Sequence, residues 1–336
     1  MSFSVGICGL PNVGKSTLFK ALTKREVKIS PRPFTTIKPN FGQVSVPDER
    51  LEKIAEVIKP EKVTPTQIEF VDIAGLVKGA YKGEGLGNQF LGHIKNCDAI
   101  LVVVRCFSDP EVENLLGEIN PQEEIEVLKT ELLMKDLESV EKAMAKLERK
   151  QKEAKVLEKL KDWLSRGKMI SELDLGEEKE LIKSYRFLTE KPIFYLLNVN
   201  GKTAFTRPKV NFLEMNLKEE EEISELSDQE LKELGMRGKL EELILNCYKV
   251  LNLITFFTVA GGKEVKAWTL EKGKTAPEAG GVVHSDFQKK FIRAEVIDWQ
   301  KLVEAGSWQK AKELGLIKIV GKDYQIEDGQ VVEFKI

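Results

Sequence analysis

Lys15 and Ser16 close the eight-position pattern G-x-x-x-x-G-K-[ST] within the stretch Gly9-Leu10-Pro11-Asn12-Val13-Gly14-Lys15-Ser16-Thr17. This spacing suits a chain of phosphates. Glycine at 9 and 14 permits positive φ, so successive main-chain N–H groups can converge on an anion. The Lys15 ammonium would then reach the β- and γ-phosphates, and the Ser16 hydroxyl would ligate Mg²⁺. Such a loop works between a strand and a helix, whose N-terminal partial charge adds to the attraction. Both are expected here. Phe3-Ser4-Val5-Gly6-Ile7-Cys8 reads as a buried strand, and Leu18-Phe19-Lys20-Ala21-Leu22 as a helix.

Two further stretches fit the same chemistry. Asp72-Ile73-Ala74-Gly75 is a D-x-x-G that ends the strand-like run Thr66–Val71. Beside a phosphate-loop strand, Asp72 is placed to hold Mg²⁺ through water and the Gly75 N–H to approach the γ-phosphate. Pro31-Arg32-Pro33-Phe34-Thr35-Thr36-Ile37-Lys38-Pro39 contains three prolines and reads as an extended loop. In P-loop switches such a loop brings a threonine hydroxyl to the Mg²⁺. Thr36, with Thr35 as the alternative, would serve, and a plain surface loop is the competing reading. Leu76 stands where switch GTPases orient the attacking water with glutamine. Leucine cannot hydrogen-bond water, which implies slow intrinsic turnover unless a partner or cation helps. Lys15, Gly75 and Leu76 are the candidate catalytic positions, and the glycine-dense stretch that starts at Gly75 is expected to be a mobile switch.

Asn198-Val199-Asn200-Gly201 occupies the place of the guanine motif N-K-x-D. Asn198 and Val199, together with Asn216 from Glu214-Met215-Asn216-Leu217-Lys218, are the candidate base contacts. Gly201 has no carboxylate for the guanine N–H groups. A missing paired contact of that kind can decide between bases, so ATP is expected over GTP.

The elements that must position these groups are legible as alternating strands and helices. Gly42–Pro47, Ala99–Val104 and Ile193–Asn200 read as strands and Leu51–Ile58 as a short helix. The two apolar runs from 99 and 193 should be neighbours in one sheet, although about ninety residues separate them. The gap holds an insertion. From Pro121 to about Arg166 there is no glycine, and Leu133, Leu137, Val140, Met144 and Leu147 repeat at coiled-coil spacing. Ala154, Leu157, Leu160 and Leu164 resume the repeat. An antiparallel helical hairpin is expected, its first helix running from Pro121 to about Arg149, roughly 40 Å, with the turn at Arg149–Glu153. Between Lys142 and Lys168, ten basic residues stand against four acidic ones, a local charge of +6 on a chain of net charge −2. This is either a footprint for a phosphate backbone or a solvated helix face. The acidic run Glu219–Glu222 reads as a solvated helix start, and Leu240–Leu253 as the helix that closes this region.

From about Leu253 the character changes. Thr255–Val259, Val265–Leu270 and Tyr324–Phe334 are strand-like and Ser285–Phe291 helical, which suggests a small α+β module. The 336 residues allow two or three domains. Two histidines make a histidine-based metal site improbable, and no apolar stretch nears the ~20 residues of a membrane span. Four cysteines without metal-ligand spacing read as buried thiols. With no room for a signal peptide before the first strand, a cytoplasmic location is expected.

The phosphate loop, Asp72-Ile73-Ala74-Gly75-Leu76-Val77-Lys78-Gly79-Ala80 and Gly85-Leu86-Gly87-Asn88 together resemble the YchF family of Obg-related P-loop NTPases, the Obg-like ATPases. Glu264-Val265-Lys266-Ala267-Trp268-Thr269 and His284-Ser285-Asp286-Phe287 extend the resemblance into the tail. It implies an α/β, doubly wound, mostly parallel P-loop G domain over 1–120 and 190–252, a coiled-coil insertion over 121–189, and a C-terminal TGS domain with a β-grasp fold over 253–336. It also implies Mg²⁺-dependent ATP hydrolysis and association with ribosomes. By matching position, Ser16 and Thr36 resemble the metal ligands, Asn12, Val13, Gly14, Lys15, Ser16 and Thr17 the phosphate-binding loop, Leu76 the hydrophobic substitute for the catalytic glutamine, and Asn12 the phosphate-loop asparagine of K⁺-activated relatives. Family members show N-x-x-E where Gly201 closes the base motif here. The leading expectation is a ribosome-associated ATPase, a nucleotide-dependent switch in translation or stress response that meets ribosomal RNA through the hairpin and TGS domain. The alternatives are an Obg-like GTPase with relaxed base choice and a nucleotide-gated scaffold with incidental hydrolysis.

Overall fold

The computed structural model describes residues 3–24, 40–73, 87–148 and 151–336. Thr35, Thr36, Gly75 and Leu76 lie outside them. The described chain forms two compact units. One comprises Phe3–Val44 and Glu69–Leu243, the other Ser45–Ile68 and Ile244–Ile336.

The first unit is built on β1 (Ser4–Cys8), β2 (Asn40–Ser45), β4 (Gln67–Asp72), β5 (Ala99–Cys106), β6 (Ile193–Val199) and β7 (Phe212–Met215), in the order β2-β4-β1-β5-β6-β7. β1 pairs in parallel with β4 and β5, β5 with β6, and β6 with β7. The two apolar runs expected to be neighbours are therefore adjacent strands. All eight residues of β5 are buried, as a strand covered on both faces requires. α1 (Lys15–Lys24) follows β1, and α3 (Gly87–Lys95) precedes β5. Because the chain crosses from β1 to β4 on one side and reaches β5 on the other, β1 ends at a topological switch point, where open α/β sheets bind ligands.

The insertion is a hairpin of α4 (Pro121–Met144) and α5 (Lys152–Ser165). α4 is capped by Asn120, whose Oδ1 accepts from Glu123 N at 3.2 Å. It ends about five residues before the expected Arg149, because turn bonds such as Lys146 N to Ala143 O take over there. Leu133, Val140, Leu157, Leu160 and Leu164 share one core with Leu137, Met144 and Leu147, so the seam residues do meet. Ile170, Leu175, Ile182 and Phe187 join that core from the return segment, which contains α6 (Lys179–Ile182). Asp136 clamps the base of the hairpin. Its carboxylate accepts from Leu188 N at 2.9 Å and from Thr189 N and Oγ1 at 2.7 Å. α7 (Leu217–Ile223) carries the acidic run, but Glu220 is buried rather than solvated, since Glu220 Oε1 accepts from Lys239 N at 2.7 Å. α8 (Asp228–Leu234) and α9 (Leu240–Val250) follow.

The second unit contains β8 (Leu253–Thr258), β9 (Glu264–Glu271), β10 (Arg293–Asp298), β11 (Lys318–Val320) and β12 (Gln330–Lys335). The last strand starts at Gln330 rather than Tyr324: Gln325 makes only an isolated bridge to Thr275, with Ile326 N donating to Lys274 O at 3.1 Å, and a turn closed by Gln330 N to Glu327 O at 3.4 Å follows. β8 and β9 form an antiparallel hairpin, β12 lies parallel to β8, and β10 and β11 complete the order β11-β10-β12-β8-β9. With α10 (Ala276–Val283) and α11 (Ser285–Lys289) against one face, this is consistent with a β-grasp. Alternation along β9 sends Val265 and Ala267 to the opposite face. There they meet Leu51 and Ile54 of α2 (Glu49–Ile58), and Leu302 and Ala311 of α12 (Trp299–Ala305) and α13 (Trp308–Glu313). β3 (Lys62–Thr64) adds a parallel edge beside β9. Ser45–Ile68, assigned by sequence to the 1–120 domain, thus packs with the C-terminal unit, because the apolar stripe of α2 is needed to cover that sheet.

Candidate nucleotide-binding site

Asn12, Gly14, Lys15, Ser16, Thr17, Asn198, Val199 and Asn216 line one cleft of about 860 Å³ at the carboxyl ends of β1, β5 and β6. The structure therefore brings together the expected phosphate loop and the expected base contacts. The loop has the backbone that glycine permits. Gly9 and Gly14 have φ of 154° and 104°, and a Cβ on Gly14 would lie 2.5 Å from Asn198 Nδ2. Asn12 also sits at positive φ, 63°. Val13 is buried beneath the cleft rather than exposed in it.

Lys15 is 7% exposed and its Nζ donates to Leu10 O at 2.7 Å, folding the side chain back over its own loop. Burial pulls its ammonium below the ordinary lysine range, while Cys8, Asp72 and Glu124 pull it back up. Asp72 ends β4 opposite Ile7 of β1. Burial pushes its carboxyl up, and the Lys15 charge and a hydrogen bond with Asn40 act against that. Ser16 is exposed at the cleft. A serine hydroxyl and an aspartate carboxylate are hard oxygen donors that fit Mg²⁺, which takes its remaining ligands from water and phosphate. Among the described residues no group of three or more His, Cys, Asp or Glu forms a self-sufficient metal cage.

Asn198 is 7% exposed and bridges two segments: Nδ2 donates to Val13 O at 2.9 Å, and Oδ1 accepts from Leu217 N at 3.2 Å. One Nδ2 hydrogen is not used by these two bonds. Asn216 caps α7, its Oδ1 accepting from Glu219 N at 3.4 Å. Asn200 supports its own turn, accepting from Lys202 N and Thr203 N. Gly201 has φ of 68° with open space around its Cβ position, and its neighbours Asn200 and Lys202 rather than Gly201 itself line the cleft.

The loop after β5 was not foreseen. Phe107, Ser108, Asp109 and Val112 line the same cleft. The rule that ligands sit outside the carboxyl ends of strands would have pointed there. Glu124 was also missed. It is buried at the start of α4, and its Oε2 accepts from Arg105 N at 2.8 Å.

A phosphate loop at the switch point of a mostly parallel sheet, with an aspartate ending the adjacent strand, defines the P-loop NTPase class. The family model described as 50S ribosome-binding GTPase matches residues 4–198, and the YchF-GTPase_C model, described as a protein of unknown function, matches 253–336. The chain is 46% identical to the ribosome-binding ATPase YchF of Pasteurella multocida, over 100% of this chain and 99% of that one. It is 43% identical to the ribosome-binding ATPase YchF of Bacillus subtilis over the same shares. The solved structure of the YchF GTPase of Schizosaccharomyces pombe superposes with a TM-score of 0.82 at 34% identity, over 99% of this chain and 98% of that one. The chain belongs to the YchF family.

Proposed function

We propose that this chain is a ribosome-binding ATPase that holds Mg·ATP in the cleft above β1 and cleaves it to ADP and phosphate. The observation that carries the reading is the meeting of a glycine-shaped phosphate loop with Asn198, Val199 and Asn216 in one cleft. Main-chain N–H groups of Asn12–Thr17 and the Lys15 ammonium would take the phosphates. Ser16 and Asp72 would hold Mg²⁺, which neutralises charge on the β- and γ-oxygens when bound. Thr36, Gly75 and Leu76 are proposed switch positions on sequence grounds. Asn198 and Asn216 are proposed to border the base. Asn12 Nδ2 donates to Glu113 O at 3.4 Å, a bond that does not use Oδ1, the atom that would ligate an activating K⁺.

For the ribosome, the basic end of the hairpin is the proposed contact to RNA phosphates, with the C-terminal unit as a second surface. Several of its cations are already paired, as Lys159 is with Glu178 and Lys161 with Glu141. Lys155 lies on the exposed face of α5. Reversing Lys152 and Lys155 to glutamate should lower ribosome co-sedimentation and flatten its salt dependence, with ATP turnover unchanged. Phosphate release from ATP that is absent in Lys15→Ala, together with ATP preferred over GTP, supports the ATPase reading. GTP cleaved well and ATP negligibly would replace it with the GTPase alternative.

A further inference from the structure

Arg105, at the end of β5, is 5% exposed although it carries a permanent charge. A buried guanidinium is costly unless its N–H groups find acceptors. Here they find main-chain carbonyls. Nε donates to Phe107 O at 3.1 Å, Nη1 to Glu113 O at 2.8 Å and Nη2 to Val112 O at 2.8 Å. Its Cζ also sits 4.5 Å from the Phe107 ring centroid. One side chain therefore closes both ends of the 107–113 loop around itself.

That loop is a wall of the nucleotide cleft, through Phe107, Ser108, Asp109 and Val112. It is also tied to the segment around Gly201. Ser108 N donates to Thr203 Oγ1 at 3.0 Å, and Asn200 Nδ2 to Ser108 O at 3.3 Å. Gly201 carries no acid to choose a base and does not itself line the cleft, whereas the 107–113 wall lines it and is fixed by a buried cation. We propose that Arg105 is a positioning residue for nucleotide selection: it holds the 107–113 loop as a rigid wall, and that wall supplies the discrimination between adenine and guanine nucleotides.

This rests on the cleft being the ATP site, and the test keeps the two apart. Full-length wild type, Arg105→Lys and Thr203→Val are compared for KM and kcat with ATP and GTP, and for affinity toward Mg·tripolyphosphate, which has no base. Lysine keeps the charge but loses the fork, and Thr203→Val removes only the half-buried hydroxyl that anchors Ser108. Arg105→Lys should raise KM for ATP about tenfold at unchanged kcat and narrow the ATP:GTP ratio, with Thr203→Val about threefold in the same direction. Tripolyphosphate affinity should not move in either. Parallel loss of tripolyphosphate binding, or unchanged selectivity in both variants, would overturn the proposal. Lys15→Ala separates the premise: if it keeps wild-type ATP affinity, the cleft is not the site.

Discussion

Asn198 Nδ2 donates to Val13 O across 2.9 Å, joining the end of β6 to the phosphate loop, and its Oδ1 accepts from Leu217 N at the start of α7. Asn198→Ala leaves both main-chain groups buried without a partner. The expected cost is about 2 kcal/mol of stability and about tenfold in ATP affinity, read by denaturant unfolding and calorimetry. Wild-type values for both would show that the bridge does not shape the loop.

Gly14 tests the cradle itself. A methyl group there meets Asn198 Nδ2 at 2.5 Å in a backbone with φ of 104°. Gly14→Ala should therefore abolish measurable ATP binding, while unfolding stays cooperative and drops by about 1–3 kcal/mol. Retained ATP affinity would mean the loop closes around phosphates in a different shape.

Glu124 makes stability pH-dependent. Burial, opposed by the Arg105 N–H and the Lys15 and Arg105 charges, pushes its carboxyl from 4.5 up to about 7. Between those values the folded chain keeps a proton that the unfolded chain has lost. The stabilisation is present below 4.5 and is lost as pH rises through about 7, a difference on the order of 3 kcal/mol. Glu124→Gln keeps an acceptor for Arg105 N and cannot titrate. Urea unfolding at pH 5 and pH 8 should show the wild type losing more stability than the variant as pH rises; equal losses would refute the assignment.

Asp136 serves three donors at once, at the junction of α4 with the return segment. Asp136→Ala should cost about 3 kcal/mol and raise amide exchange at Leu188 and Thr189. Exchange unchanged at those two amides would show that water replaces the carboxylate without loss.

Much of the first unit could be read from sequence because its signals are local. Two apolar runs, a glycine-spaced loop and a heptad seam each announce themselves within about a dozen residues. The second unit was only partly legible. β3 is three residues, Lys62-Val63-Thr64, with no apolar alternation, and its partner β9 lies two hundred positions away at Glu264. α2 displays an ordinary amphipathic stripe, and nothing in that stripe tells which sheet it covers. In the site, Lys15 and Ser16 were legible because their spacing is set by the phosphates. Arg105 was not, because its partners are main-chain carbonyls, which leave no trace in residue types. Glu124 looked like any acid in the first turn of a helix.

The most direct test is calorimetric titration of the full chain with non-hydrolysable ATP and GTP analogues in the presence of Mg²⁺. A phosphate cradle beside a base slot without an acid predicts saturable binding of the ATP analogue, at least about tenfold tighter than the GTP analogue. Tighter binding of the GTP analogue, or no binding of either, would contradict it.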